Sequence, residues 1–262
     1  MKVAIFDVDG TLLDNKNHCV HASTVEAINK LRANGVIIVI ATGRSYSRLI
    51  DGVLDFIPDY VVAFSGHALV DKKGEYLFKR PFTKKEVKII SDYTDANKIP
   101  FTYKSDELRY CNVYFPKNYI QDPLKMKYVV EEIVFDESKS YLDKNVYFGA
   151  GLLSENEGLV LQDLLPNMHI YHMIDGWTDL THKDIDKAET ISKLLKHLNV
   201  SWSDCIAFGD GLNDITFIKK AGIGVCMGNG YSQTKAIADY VCDDIDKNGI
   251  YKILVELKLI KA

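Results

Sequence analysis

Five continuous apolar runs, at residues 3–6, 36–41, 60–64, 205–208 and 223–226, each stop abruptly at small or polar residues. Runs this short, without alternation, suit strands buried on both faces of a parallel sheet. Helical patterns lie between them. Ser23-Thr24-Val25-Glu26 has the Ser-x-x-Glu form of a capping box, Val25, Ile28 and Leu31 recur at helical spacing, and Gly35 follows as a stop. Residues 186–199, 214–221 and 233–238 read the same way. Strand and helix in alternation predict an α/β fold, doubly wound around a mostly parallel, Rossmann-like sheet.

The middle of the chain has another texture. At 262 residues the chain is near the size at which one core divides into two. From about residue 83 the continuous runs give way to tyrosine-rich, alternating ones. Helices are predicted at 83–98, from Asp122 and at 154–165, with strands at 101–104, 108–115, 146–149, 169–174 and 176–180. This pattern predicts an α+β domain, residues 83–181, inserted into a core of residues 1–82 and 182–262.

A net charge of −4 argues against a nucleic-acid partner, because phosphate backbones are held by basic faces. The five cysteines are widely spread with no Cys-x-x-Cys pair, as in reduced packing residues. No apolar run approaches the ~20 residues of a membrane helix, and no basic leader precedes one. These features predict a cytoplasmic protein without a membrane partner. They carry no code for its oligomeric state.

Asp7 and Asp9 follow the first run directly. In open α/β sheets ligands bind beyond the carboxyl ends of the strands. Alternation turns both carboxylates to one side, and two anions this close raise a pKa or demand a cation.

Asp7-Val8-Asp9-Gly10-Thr11, Thr42-Gly43-Arg44, Lys187 and Gly209-Asp210-Gly211-Leu212-Asn213-Asp214 resemble, in order, the four motifs of the haloacid dehalogenase superfamily. The tail, Met227-Gly228-Asn229 through Asn248-Gly249-Ile250, further resembles the Cof-type phosphatases of that superfamily. Between Thr11 and Thr42 stand 30 residues, too few for a helical cap, whereas 120 separate Gly66 from Lys187. The long insert resembles the α+β cap of the Cof-type group, which closes over the site and selects the leaving group.

The resemblance implies a Mg²⁺-dependent phosphatase acting on a small phosphorylated metabolite. Asp7 would be the nucleophile, because a carboxylate can accept a phosphoryl group and divide a hard hydrolysis into two steps. Asp9 would be general acid, then general base. The metal site would comprise Asp7, Asp9 through its main-chain carbonyl, Asp210, and Asp214 one shell out. Thr42, Gly43, Lys187 and Asn213 would bind phosphate or substrate. Two departures from the usual pattern are Ala188, where Gly is common after the lysine, and Ser65-Gly66-His67 in place of an Asn-Gly pair. His67 could meet a substrate or be an ordinary loop histidine. Two rivals stay open at this level: a phosphomutase, which would grip a second phosphate with cap arginines or lysines, and a non-catalytic phosphometabolite sensor.

Overall fold

The structure is a computed structural model and describes residues 1–50, 54, 56–106, 108–116, 133–172 and 177–262. The chain divides into two compact units, residues 1–79 with 186–262, and residues 80–185.

The first unit opens with β1 (Val3–Phe6), the hairpin β2 (Leu13–Asp14) and β3 (Cys19–Val20), and α1 (Ala22–Ala33). Then come β4 (Ile37–Ala41), the short α2 (Tyr46–Ile50), β5 (Tyr60–Ala63), β6 (Ala68–Asp71) and β7 (Tyr76–Lys79). α1 begins two residues earlier than the Ser-x-x-Glu signature predicts. Its N-cap is His21, without a side-chain cap. The His21 ring lies 3.0 Å from the Asp14 carboxylate, and Ser23 Oγ donates to Asn248 Oδ1 at 2.7 Å, so the serine is occupied elsewhere.

In the second unit α3 (Lys84–Ala96), β8 (Phe101–Ser105), β9 (Arg109–Cys111), β10 (Ile133–Phe135), β11 (Val146–Gly151), α4 (Glu155–Leu164), β12 (Met168–His172) and β13 (Thr178–His182) follow in order. The strands form one sheet in the order β10-β9-β8-β11-β13-β12, antiparallel except for β9 with β10. Thr83 and Ser154 cap α3 and α4 with complete capping boxes to Glu86 and Glu157. Tyr103 and Tyr141 stack at 4.0 Å inside its core, which Tyr110 joins and against which Tyr93 packs. The expected helix from Asp122, with Tyr119 and Tyr128, lies outside the described residues.

The chain then returns to the first unit with α5 (Lys187–His197), β14 (Cys205–Gly209), α6 (Ile215–Lys220), β15 (Ile223–Cys226), α7 (Ser232–Lys235), β16 (Tyr240–Val241) and α8 (Gly249–Glu256). Its sheet runs β16-β15-β14-β1-β4-β5-β6-β7. The first six strands are parallel, and β6 and β7 extend the edge antiparallel. That hairpin is an addition to the strands expected from the sequence, although Lys72-Lys73-Gly74 between two apolar stretches is a turn signal.

β1 is central, which is why its four residues are fully buried without alternation. Val3, Ile5, Val39, Ala41 and Val62 share one core cluster with Ala188, Ile191, Leu194 and Leu195 of α5 and Phe217 and Ile218 of α6. Each large apolar side chain there contributes about 1.5–3 kcal/mol by leaving water. α1 belongs to no part of that cluster, packs against β4 and α8, and so covers the opposite face. No helix among the described residues is long and apolar enough to cross a membrane.

Candidate active site

Asp7, Asp9, Thr42, Lys187, Asp210 and Asp214 meet at the carboxyl edge of the parallel strands. Register sets this: Phe6 of β1 stands level with Phe208 of β14 and Ile40 of β4, so the chain leaves all three strands at one height. Asp7 continues the ladder for one bond, its N–H donating to Phe208 O at 2.9 Å.

Lys187 is the first residue of α5, whose N-cap is Asp186. Its side chain, only 1% exposed, donates from Nζ to Asp7 Oδ1 at 2.6 Å and to Asp214 Oδ1 at 2.7 Å. A buried ammonium persists only when paired. Burial would lower the Lys187 pKa, but Asp214 and Asp7 outweigh it and hold the ammonium above its ordinary range. The second oxygen of Asp214 accepts from the N–H groups of Asp210 (3.1 Å) and Gly211 (2.9 Å). Both oxygens of Asp214 are thus engaged by protein donors.

Asp7, Asp210 and Asp214 each present a carboxylate oxygen, and these lie within 4.8 Å of one another. Crowded acids resist ionisation. Burial, followed by the charge of Asp214, raises Asp7 well above the usual carboxylate range despite the neighbouring Lys187. The same two causes lift Asp210 to about 7, against the hydrogen bond from Thr11 Oγ1 at 3.2 Å. Such an all-oxygen set fits a hard divalent cation. Gly10 keeps the cluster open: it has φ +89°, and a Cβ there would stand 2.4 Å from Asp210 Oδ2.

Asp9 is not one of these three clustered acids. Its carboxylate is 42% exposed and forms a two-pronged pair with Arg44, a residue of the Thr42-Gly43-Arg44 motif to which the sequence assigned no role. Thr42 is fully buried, and its Oγ1 accepts from Arg44 N–H at 3.1 Å. Gly43 faces Ser65, whose Oγ would sit 3.3 Å from a Cβ added to Gly43. Asn213 is exposed, and among the described residues its side chain makes no hydrogen bond to Asp210 or Asp214; backbone amides orient Asp214 instead.

The turn after β5 departs from ordinary geometry. Phe64, Ser65 and Gly66 have φ of 50°, 54° and 110°, three left-handed residues in succession. His67 is completely buried beneath them, its Nδ1 2.8 Å from Phe64 O, which removes it from the candidate substrate contacts. Gly66 accepts from Thr190 Oγ1, and a Cβ on Gly66 would meet Asp186 O at 2.2 Å. The strained turn therefore abuts the start of α5, which carries Lys187.

A family model described as haloacid dehalogenase-like hydrolase matches residues 4–254. Among its relatives, the phosphoglycolate phosphatase of Methanobrevibacter smithii is 27% identical over 258 residues, covering 97% of each chain. BT1666 from Bacteroides thetaiotaomicron, a phosphatase of the same superfamily, superposes with a TM-score of 0.85 at 29% identity, over 99% of this chain and 96% of its own. The subclass IIB sugar phosphatase BT4131 gives 0.82 at 27% identity, over 99% and 100%.

Proposed function

Because the chain belongs to the haloacid dehalogenase-like hydrolases of Cof type, and is with them a phosphoric monoester hydrolase, we propose that it cleaves small phosphorylated metabolites through an aspartyl-phosphate on Asp7 with the help of Mg²⁺. Sugar phosphates and phosphorylated cofactors are the substrate classes this reading favours. The observation that carries it is the Lys187 ammonium bridging Asp7 and Asp214 at 2.6 and 2.7 Å inside an acidic cluster.

Asp7 attacks phosphorus, and the bond to the ester oxygen breaks. Asp9 delivers a proton to that departing oxygen. A water then loses its proton to Asp9 and attacks the aspartyl-phosphate, releasing phosphate and restoring Asp7. Lys187 fixes the Asp7 carboxylate and balances the charge brought by the phosphoryl group. Thr42 Oγ1, which accepts from Arg44 N–H, keeps its own proton to donate to a phosphate oxygen, beside the Gly43 amide. Asn213, exposed at the rim, is available to substrate.

Asp7 and Asp210, with the Asp9 carbonyl, would hold the cation, and Asp214 would orient them through Lys187 and the Asp210 and Gly211 amides. When bound, the cation neutralises the approach of an anionic phosphate to an anionic nucleophile. The five cysteines are all free, and four are buried, which supports a reducing, cytoplasmic setting.

Phosphate release from a panel of phosphorylated sugars, nucleotides and cofactors, with Mg²⁺ and with chelator, tests the reading. Metal-dependent release that disappears in Asp7→Asn supports it. A folded wild-type protein that instead moves the phosphoryl group to a second position of the substrate would make it a mutase. Arg109 is the one arginine of residues 83–181, so an arginine grip on a second phosphate finds little support there.

A further inference from the structure

The loop after β15 touches both acidic turns. Three of its groups hold the turn after β14: Met227 N–H donates to Gly209 O (3.0 Å), Tyr231 N–H to Asp210 O (2.9 Å) and Thr234 Oγ1 to Gly211 O (2.9 Å). Asn229 reaches the other turn. Its Nδ2 donates to Gly10 O at 2.7 Å, while its Oδ1 accepts from Ile245 N–H at 3.0 Å.

Gly10 is the soft joint of the first turn, a glycine at φ +89° between Asp9 and Thr11. Its N–H donates to Leu13 O at 3.0 Å, which fixes the peptide that contains the Asp9 carbonyl. Among the described residues, the carbonyl on the other side of the joint is held by Asn229 alone. The next residue, Thr11, supplies the hydroxyl that bonds Asp210. The N–H of the same peptide, that of Thr11, donates to Val8 O at 3.2 Å, so without Asn229 the Gly10–Thr11 peptide would keep only this longer bond. Tilting of a peptide held at one end would shift Thr11 against Asp210 and loosen the separation of the two turns.

We propose that Asn229 is a positioning residue that sets the affinity of the acidic site for its divalent cation. It does so by locking the Gly10 peptide, and so the placement of the β1 turn against Asp210. The assignment rests on the cation-dependent reading above. Partners of this indirect kind typically change metal affinity by 10–100-fold.

The experiment is Mg²⁺ titration calorimetry on chelator-stripped wild type, Asn229→Ala and Asn229→Asp, each with the melting temperature of its metal-free form. Asn229→Asp keeps the size and the acceptor for Ile245 N–H, so it retains the anchor if the alanine variant folds poorly. It also places an extra negative charge beside the cluster, which by attraction alone would tighten Mg²⁺. The expected result is affinity weaker by roughly 10–100-fold in both variants, with metal-free melting little changed and turnover recovered as Mg²⁺ is raised. Wild-type or tighter affinity in Asn229→Asp overturns the assignment while leaving the functional reading intact. A wild-type protein that binds no Mg²⁺ overturns that reading and this assignment with it.

Discussion

Arg44 clasps Asp9 with two parallel hydrogen bonds, Nε to Oδ2 at 2.9 Å and Nη2 to Oδ1 at 2.6 Å. The arginine is the anchored partner, its side chain 14% exposed against 42% for the aspartate. Asp9 is therefore held in place by a partner more firmly anchored than itself.

This arrangement predicts that Asp9 and Arg44 matter in proportion to how poor the leaving group is. Asp9→Asn should cost ~10²–10⁴-fold in kcat/KM on a sugar phosphate, the usual worth of general acid catalysis. Arg44→Ala should cost about tenfold by releasing the clasp. Both losses should shrink on p-nitrophenyl phosphate, whose departing oxygen needs little protonation. Equal losses on both esters would remove the proton-delivery role from Asp9.

Asp7→Asn should separate stability from function. The Asp7 carboxylate is raised by burial and by Asp214 even with Lys187 beside it, so its ionised form burdens the metal-free fold. The neutral amide lifts that burden. At pH 8 the metal-free variant should melt at or above the wild-type temperature, and Mg²⁺ should raise its melting point less. A clearly lower melting temperature would mean that the bond to Lys187 outweighs the crowding.

Asp210 gives the cluster its pH dependence. Its folded value of about 7 lies above the ordinary 3.8, so the stability it lends the metal-free protein is complete below about pH 4. That contribution, of order a few kcal/mol, is lost as pH rises through 7. Metal-free protein should accordingly melt lower at pH 8 than at pH 5, with Mg²⁺ closing much of the gap. Apparent Mg²⁺ affinity should climb with pH and level off above about 7. An affinity flat from pH 5 to 8 would contradict the assignment of Asp210 to the cation.

Lys187→Met should be severe. It leaves Asp7 and Asp214 buried without their shared cation, a loss of about 3–5 kcal/mol, or roughly 10 °C in a chain of this size. Addition of Mg²⁺ should recover part of it, because the metal supplies charge to the same carboxylates. Thermal denaturation with and without Mg²⁺ reads both effects, and a variant as stable as wild type would show that the triad contributes little.

The parallel core was legible because its strands are buried on both faces and so read as uninterrupted apolar runs, from residues 3–6 to 223–226. Asp7, Asp210 and Lys187 were legible as motifs whose order matches their spatial convergence. The edge hairpin β6–β7 was less so, since Tyr76–Lys79 alternates between half-buried and exposed positions and carries weak periodicity. The cap of α1 was misread because Ser23 had a competing partner, Asn248, 225 residues away. Arg44 and Asn229 escaped for the same reason. Each acts through a pairing that depends on which strands become neighbours, and no local pattern encodes that adjacency.

The central position of β1 also governs when the site can exist during synthesis. Asp7 emerges first, yet β1 is completed on one side by β14, some 200 residues later, and Lys187 and Asp210 arrive with it. A nascent chain carries its nucleophile long before anything can orient it or oppose its charge. Activity therefore waits on the pairing of largest sequence separation in the sheet, β1 with β14, which is also the event that assembles the site.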